Sequence, residues 1–130
     1  LVDLDLHLLP STENLDVVAF ERQALERLGM PASMVMRHRT PHFAHIFAGD
    51  GYASGYYSYL WSEVLDADAF EAFAETGDIF DGATAKKLHD FVYSAGHLRD
   101  PVDAYIGFRG RMPSTGPLLK KRGLDGETQG

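Results

Sequence analysis

The sequence predicts an all-α fold of five or six helices joined by short loops. Three observations carry this expectation. Apolar residues recur at three- and four-residue spacing, as in Val17, Phe20, Ala24, Leu25 and Leu28. No segment sustains the alternating period of a strand. Helix punctuation is frequent: Gly29, Gly96, Gly110 and Gly123 each follow a periodic stretch, and Asp100-Pro101 pairs a capping aspartate with proline at the first helical position. There is no internal repeat and no low-complexity region.

Taken in order, residues 1–9 read as the end of a helix that Pro10 stops. Asn14 or Thr12 is expected to cap a second helix that runs to about Leu28, with Glu21, Arg22, Glu26 and Arg27 outside. Gly29 closes it and Pro31 prevents its resumption. Residues 32–51 form a short helical turn or extended segment leading into a loop. A tyrosine-bearing helix is expected from about Ala53, ending near Leu65 or continuing through Phe70 and Phe73 to Gly77. Asp81 or Thr84 opens the next, which carries Leu88, Phe91, Val92 and Tyr93. Asp100-Pro101 opens another, with Val102, Tyr105, Ile106 and Phe108. A last turn runs from Pro117 to Arg122.

Composition narrows the function. The chain has 130 residues, a net charge of −7 and no cysteine. The acidic balance argues against nucleic acid and against an anionic membrane surface. The missing cysteine removes disulfides and thiolate chemistry and is compatible with a reducing cytosol without requiring one; a cytoplasmic location is the expectation. No apolar run reaches transmembrane length. The opening LVDLDLHLL lacks the basic start and small-residue cleavage site of a signal peptide. The chain starts without Met and its first residues read as already inside an element, so upstream sequence is expected. Residues 125–130 are polar and glycine-rich and are expected to be a flexible tail.

The most informative stretch is HIFAGDGYASGYYSY, residues 45–59. Tyr52, Tyr56 and Tyr59 stand at i, i+4 and i+7, which on a helix share one face. Tyr57, Leu60, Trp61 and Val64 would share another and pack into a core. Phenol hydroxyls on a rigid helix, entered through a glycine loop, suit ligand binding. On spacing alone, such an aromatic stripe is more often the signature of a core.

Four pieces in order carry a resemblance: PHFAHIFAGDGYASGYYSYLWSEVLDADAF, DIFDGATAKKLHDFVYSAG, DPVDAYIGFRGR and LLKKRGL. Together they resemble the C-terminal part of the thimet oligopeptidase family of zinc metallopeptidases, nearest its bacterial oligopeptidase A and peptidyl-dipeptidase members. The resemblance spans residues 1–124, and GYASGYYSYLWSEVLDADAF is its most specific phrase. It implies a helical, two-lobed enzyme that cuts short peptides with zinc held by an HExxH helix and a further glutamate. The six histidines here (7, 38, 42, 45, 89 and 97) form no HExxH. His38, His42 and His45 have metal-like spacing, but Pro41 interrupts the set, so no metal ligand is assigned in this chain. Zinc is implied for the full-length enzyme, on ligands outside this sequence, and this chain alone is expected to be inactive.

What the resemblance assigns here is the substrate side of the site. Peptide hydrolysis develops charge on the carbonyl oxygen, which needs donors placed where that charge appears. By position, His45 and Tyr59 match the family's catalytic donors, with Tyr59 expected to stabilise the oxyanion from deepest in the regular helix. Tyr52 and Tyr56 match substrate binders. Gly49 and Gly51, with Gly55, would let the loop accept positive φ and close on a peptide. Asp50 departs from the common pattern by lengthening the spacing from His45 to Tyr52 by one residue.

The remaining charged groups read as structural. Arg37-His38-Arg39 is read as a solvated or salt-bridged patch, with contact to a substrate carboxylate as the alternative, and Arg109 and Arg111 are expected to pair with acids of the parent protein. Glu63 either orients a tyrosine hydroxyl or is exposed. Lys120-Lys121-Arg122 suits a helix C-terminus. Short peptides and the remainder of the parent peptidase are the expected partners, with self-association through exposed apolar surface. The alternative function is a non-catalytic helical module that binds a peptide or protein through its tyrosines.

Overall fold

A computed structural model of the chain describes residues 1–126, so residues 127–130 of the expected tail lie outside the described residues. Six α-helices and no strand occur among the described residues: α1 (Val2–His7), α2 (Val17–Arg27), α3 (Ser58–Ala74), α4 (Gly82–Leu88), α5 (Pro101–Arg109) and α6 (Gly116–Lys121). The all-α expectation holds. The chain divides into two compact units, Leu1–Tyr59 and a second from Leu60 onward. None of the described helices is long and apolar enough to cross a membrane.

In the first unit, α1 buries Val2 and Leu6 and places Asp3 and Asp5 in its first turn, where the helix dipole favours negative charge. The cap of α2 is Asp16, whose carboxylate accepts the Ala19 N–H at 3.0 Å. Neither Asn14 nor Thr12 has that role. Asn14 instead takes a left-handed φ of 58° in the preceding turn, which its short polar side chain tolerates. α2 buries Ala24 and Glu21 and ends before Gly29 at φ +70°. The Glu21 carboxylate accepts the Thr40 N–H at 2.9 Å and pairs with Arg39 Nε at 2.7 Å. Burial opposes the charge on Glu21, but these donors outweigh it and hold its pKa below the ordinary glutamate value. Glu21 thereby ties α2 to two 3-10 turns, Thr40–His42 and Ala44–Ile46, the second of which buries Ile46.

In the second unit, α3 continues through Asp66 and Asp68 to Ala74. Its Val64 and Ala67 pack with Leu118 of α6 in a small apolar core. Asp81 caps α4 by accepting the Thr84 N–H at 2.6 Å, and α4 passes into a π-helical turn, His89–Tyr93. Asp100 caps α5 through the Val102 N–H at 2.8 Å, and Gly110 ends it at φ 79°. Gly107 of α5 lies against Phe91, where a Cβ would come within 2.3 Å of a ring carbon, so only glycine permits this approach.

Asp68 is fully buried. It accepts the Tyr105 hydroxyl at 2.8 Å and pairs with Arg111 at 2.9 Å and Arg109 at 3.3 Å. Arg109 also grips Glu75 with two nitrogens, at 2.7 and 2.6 Å. The two arginines were expected to pair with acids of the parent protein, and the acids they meet, Asp68 and Glu75, are in this chain. Glu63 pairs with Arg122, Lys121 with Asp66 at 3.5 Å and Lys120 with Glu71 at 3.6 Å. The basic run of α6 therefore faces carboxylates of α3, a more specific role than a dipole-favoured helix end.

Candidate functional site

The tyrosine segment is not one helix. Ser54 adopts a left-handed φ of 56°, which no helix interior accepts. Gly51 and Gly55 flank it, and glycine is a weak helix former. Residues 51–57 form turns, with the Gly55 N–H on the Tyr52 carbonyl at 3.0 Å and the Ser58 N–H on the Gly55 carbonyl at 3.1 Å. α3 begins only at Ser58. Tyr52 and Tyr56 thus stand on turns, and Tyr59 is in the first turn of α3, where the sequence had placed it deepest.

The three rings converge nonetheless. The Tyr52 and Tyr59 hydroxyls are hydrogen-bonded at 2.8 Å. The Tyr56 ring lies 5.0 Å from that of Tyr59 and meets Tyr52 edge-on at 5.5 Å, centroid to centroid. His45, carried by the second 3-10 turn, places its imidazole 6.1 Å from Tyr56 and 6.3 Å from Tyr52. Edge contacts of this kind are favourable for aromatic pairs. Tyr59 remains 54% exposed, so the group faces solvent and is not a core.

Phe43, which the sequence did not single out, organises one side of the cluster. Its ring meets Tyr56 edge-on at 4.7 Å, tilts against His45 at 5.5 Å and stacks on His38 at 5.0 Å. Its position between two histidines was visible, but no periodicity runs through the 3-10 turns to show where it points. An open cavity of about 420 Å³ in the same unit has Leu6, Leu25 and Ile46 among its walls and touches Phe43 and Tyr56.

The loop glycines divide. Gly49, at φ +148°, needs to be glycine; Gly51 has no positive φ and is not required for that reason. The second expected face also differs. Val64 is buried, but Tyr57, Leu60 and Trp61 are 52%, 53% and 56% exposed. No described residue covers them fully.

The hydrogen bond with Tyr52 is the main reason that the Tyr59 hydroxyl stays above the ordinary phenol pKa. Tyr59 therefore remains protonated at neutral pH. In a hydroxyl pair, one proton serves the partner, and the accepting oxygen keeps its own O–H for a third group. The pair thus offers one directed neutral donor, with an imidazole nearby. No three His, Cys, Asp or Glu side chains gather as a metal site among the described residues.

Residues 1–124 match the family model of peptidase family M3. The chain is 39% identical over 128 residues to the dipeptidyl carboxypeptidase of Salmonella typhimurium, covering 96% of this chain and 18% of that protein. It is 49% identical over 89 residues to oligopeptidase A of Escherichia coli, covering 68% of this chain and 13% of that protein. With saccharolysin of Saccharomyces cerevisiae it shares 30% identity over 126 residues, or 95% of this chain and 17% of that protein. The chain therefore spans less than a fifth of the length of these relatives.

Proposed function

The chain belongs to peptidase family M3, as its resemblance to the thimet oligopeptidases implied, and from that premise we propose that it supplies the substrate side of a peptidase that hydrolyses short peptides. The observation that carries the reading is the convergence of His45, Tyr52, Tyr56 and Tyr59, with two hydroxyls 2.8 Å apart on a solvent-facing surface. Residues 1–124 are assigned to the helical part of the catalytic region and 125–130 to a tail. The complete protein is assigned to the cytoplasm.

In this reading Tyr59 donates its hydroxyl proton as a hydrogen bond to the carbonyl oxygen as negative charge grows there. Tyr52, bonded to Tyr59, fixes the direction of that donor. His45 and Tyr56 hold the peptide beside it, and the turn at Gly49 lets the loop follow the substrate. Zinc, as the family resemblance implies, belongs to the complete peptidase, on ligands outside this sequence. The absence of HExxH from these 130 residues supports that division.

The test is Tyr59→Phe in the complete peptidase, assayed on a short peptide. Removing one such donor costs on the order of a hundredfold in kcat. Unchanged kcat would overturn the assignment. The same assay on the isolated chain with added zinc is expected to show no hydrolysis; activity there would place the metal ligands within this sequence.

A further inference from the structure

Two side chains of α1 hold the loop that carries the tyrosines. The Asp3 carboxylate accepts the Ser54 backbone N–H at 3.2 Å, a contact between residues 51 positions apart. The same oxygen, Oδ1, lies 2.8 Å from His7 Nδ1, one turn further along α1. That nitrogen is also 2.9 Å from the Asp3 carbonyl oxygen. The His7 ring stacks on Phe47, with centroids 5.9 Å apart. The loop is therefore gripped near both ends. Phe47 directly follows the 3-10 turn that carries His45, and Ser54 lies midway between Tyr52 and Tyr56.

Ser54 is the place where a tie is needed. Its left-handed φ of 56° is disfavoured for a residue with a Cβ and persists only where surroundings impose it. Gly51 and Gly55 on either side let the segment rearrange at low cost. The Asp3 and His7 side chains are only 15% and 25% exposed, so water screens their contacts less than it screens an open surface pair. A carboxylate accepting a backbone N–H is also one of the stronger hydrogen bonds.

We infer that Asp3 and His7 form a positioning pair for the tyrosine site. Asp3 fixes the loop at Ser54 and so sets the placement of Tyr52 and Tyr56. His7 fixes the orientation of the Asp3 carboxylate and braces Phe47. Neither side chain is assigned a contact with substrate. The catalytic consequence rests on the function proposed for the tyrosines; the tether itself does not.

Asp3→Ala and Asp3→Asn test this, because asparagine keeps an oxygen that can accept the Ser54 N–H. In the 130-residue chain, amide exchange across residues 49–57 is expected to quicken by about tenfold with alanine and to return close to the parental rate with asparagine. In the complete peptidase, Asp3→Ala is expected to lower kcat by on the order of a hundredfold, the loss that a misplacement of about 1 Å can cause. KM should rise as well, because Tyr56 holds the peptide, and Asp3→Asn should recover most of both. Unchanged exchange in Asp3→Ala overturns the tether, as does an asparagine variant that behaves like alanine. Faster exchange with unchanged kcat, where Tyr59→Phe is damaging, overturns the positioning role alone. Faster exchange with both Asp3→Ala and Tyr59→Phe silent in catalysis overturns the function proposed for the tyrosines and leaves the tether standing.

Discussion

At the scale of single residues, the Tyr52–Tyr59 hydroxyl pair is the feature with the clearest electrostatic signature. A phenol whose protonated form is held in a hydrogen bond resists ionisation. The Tyr59 pKa is raised from 10.0, chiefly by its hydrogen bond with Tyr52. Tyr52→Phe removes that cause while keeping the ring, so Tyr59 is expected to ionise at lower pH. Tyrosinate absorbance of the chain, followed upward in pH for the parent and the variant, measures this. An unshifted Tyr59 titration would mean that the hydroxyls do not pair in solution. The spacing of Tyr52, Tyr56 and Tyr59 made their convergence legible from the sequence. How they converge was not legible, because it depends on Ser54 adopting a conformation that serine seldom takes. Phe43 was hidden for a similar reason, lying between two short 3-10 turns that carry no periodic signal.

At the scale of elements, Asp68 joins α3 to α5 and to the segment before α6. Burial alone would raise its pKa, but hydrogen bonds from Tyr105, Arg111 and Ser114 outweigh burial and lower it from 3.8. A carboxylate depressed in the folded state contributes stability above its unfolded pKa, and that stability is lost as pH falls toward the folded value. Unfolding midpoints in urea should therefore hold above the ordinary value of 3.8 and decline below it. Asp68→Ala strands Tyr105, Arg109 and Arg111 without their anion and is expected to cost about 3–5 kcal/mol at neutral pH, with the acid decline reduced. A variant as stable as the parent in urea, with the same acid profile, would show that the cluster contributes nothing. The contrast with helix ends is instructive. Asp100-Pro101 marked the start of α5 because capping chemistry is local. The partners of Asp68 lie 37, 41 and 46 residues away, beyond any pattern that a helical period reveals.

At the scale of the whole molecule, the decisive quantity is apolar surface left in water. Trp61 is 56% exposed, Phe80 84% and Leu98 87%. Singly exposed apolar residues are ordinary, but Tyr57, Leu60 and Trp61 lie within five positions of sequence and are all more than half exposed. The chain spans less than a fifth of the length of its relatives, and under the function proposed for it, surface from the rest of a peptidase would cover these side chains. In its absence, a second copy is the available apolar partner, since each buried square ångström contributes about 25 cal/mol. The isolated chain is therefore expected to self-associate as its concentration rises. Trp61 is its sole tryptophan and reports on the same surface, so emission should move to shorter wavelength as association proceeds. Sedimentation and fluorescence read in parallel across a dilution series check both halves of the argument. A single monomeric species at high concentration, with water-exposed tryptophan emission throughout, would show that this face is stable without a partner. Association without an emission change would move the contact elsewhere, to surfaces such as those around Phe80 and Leu98.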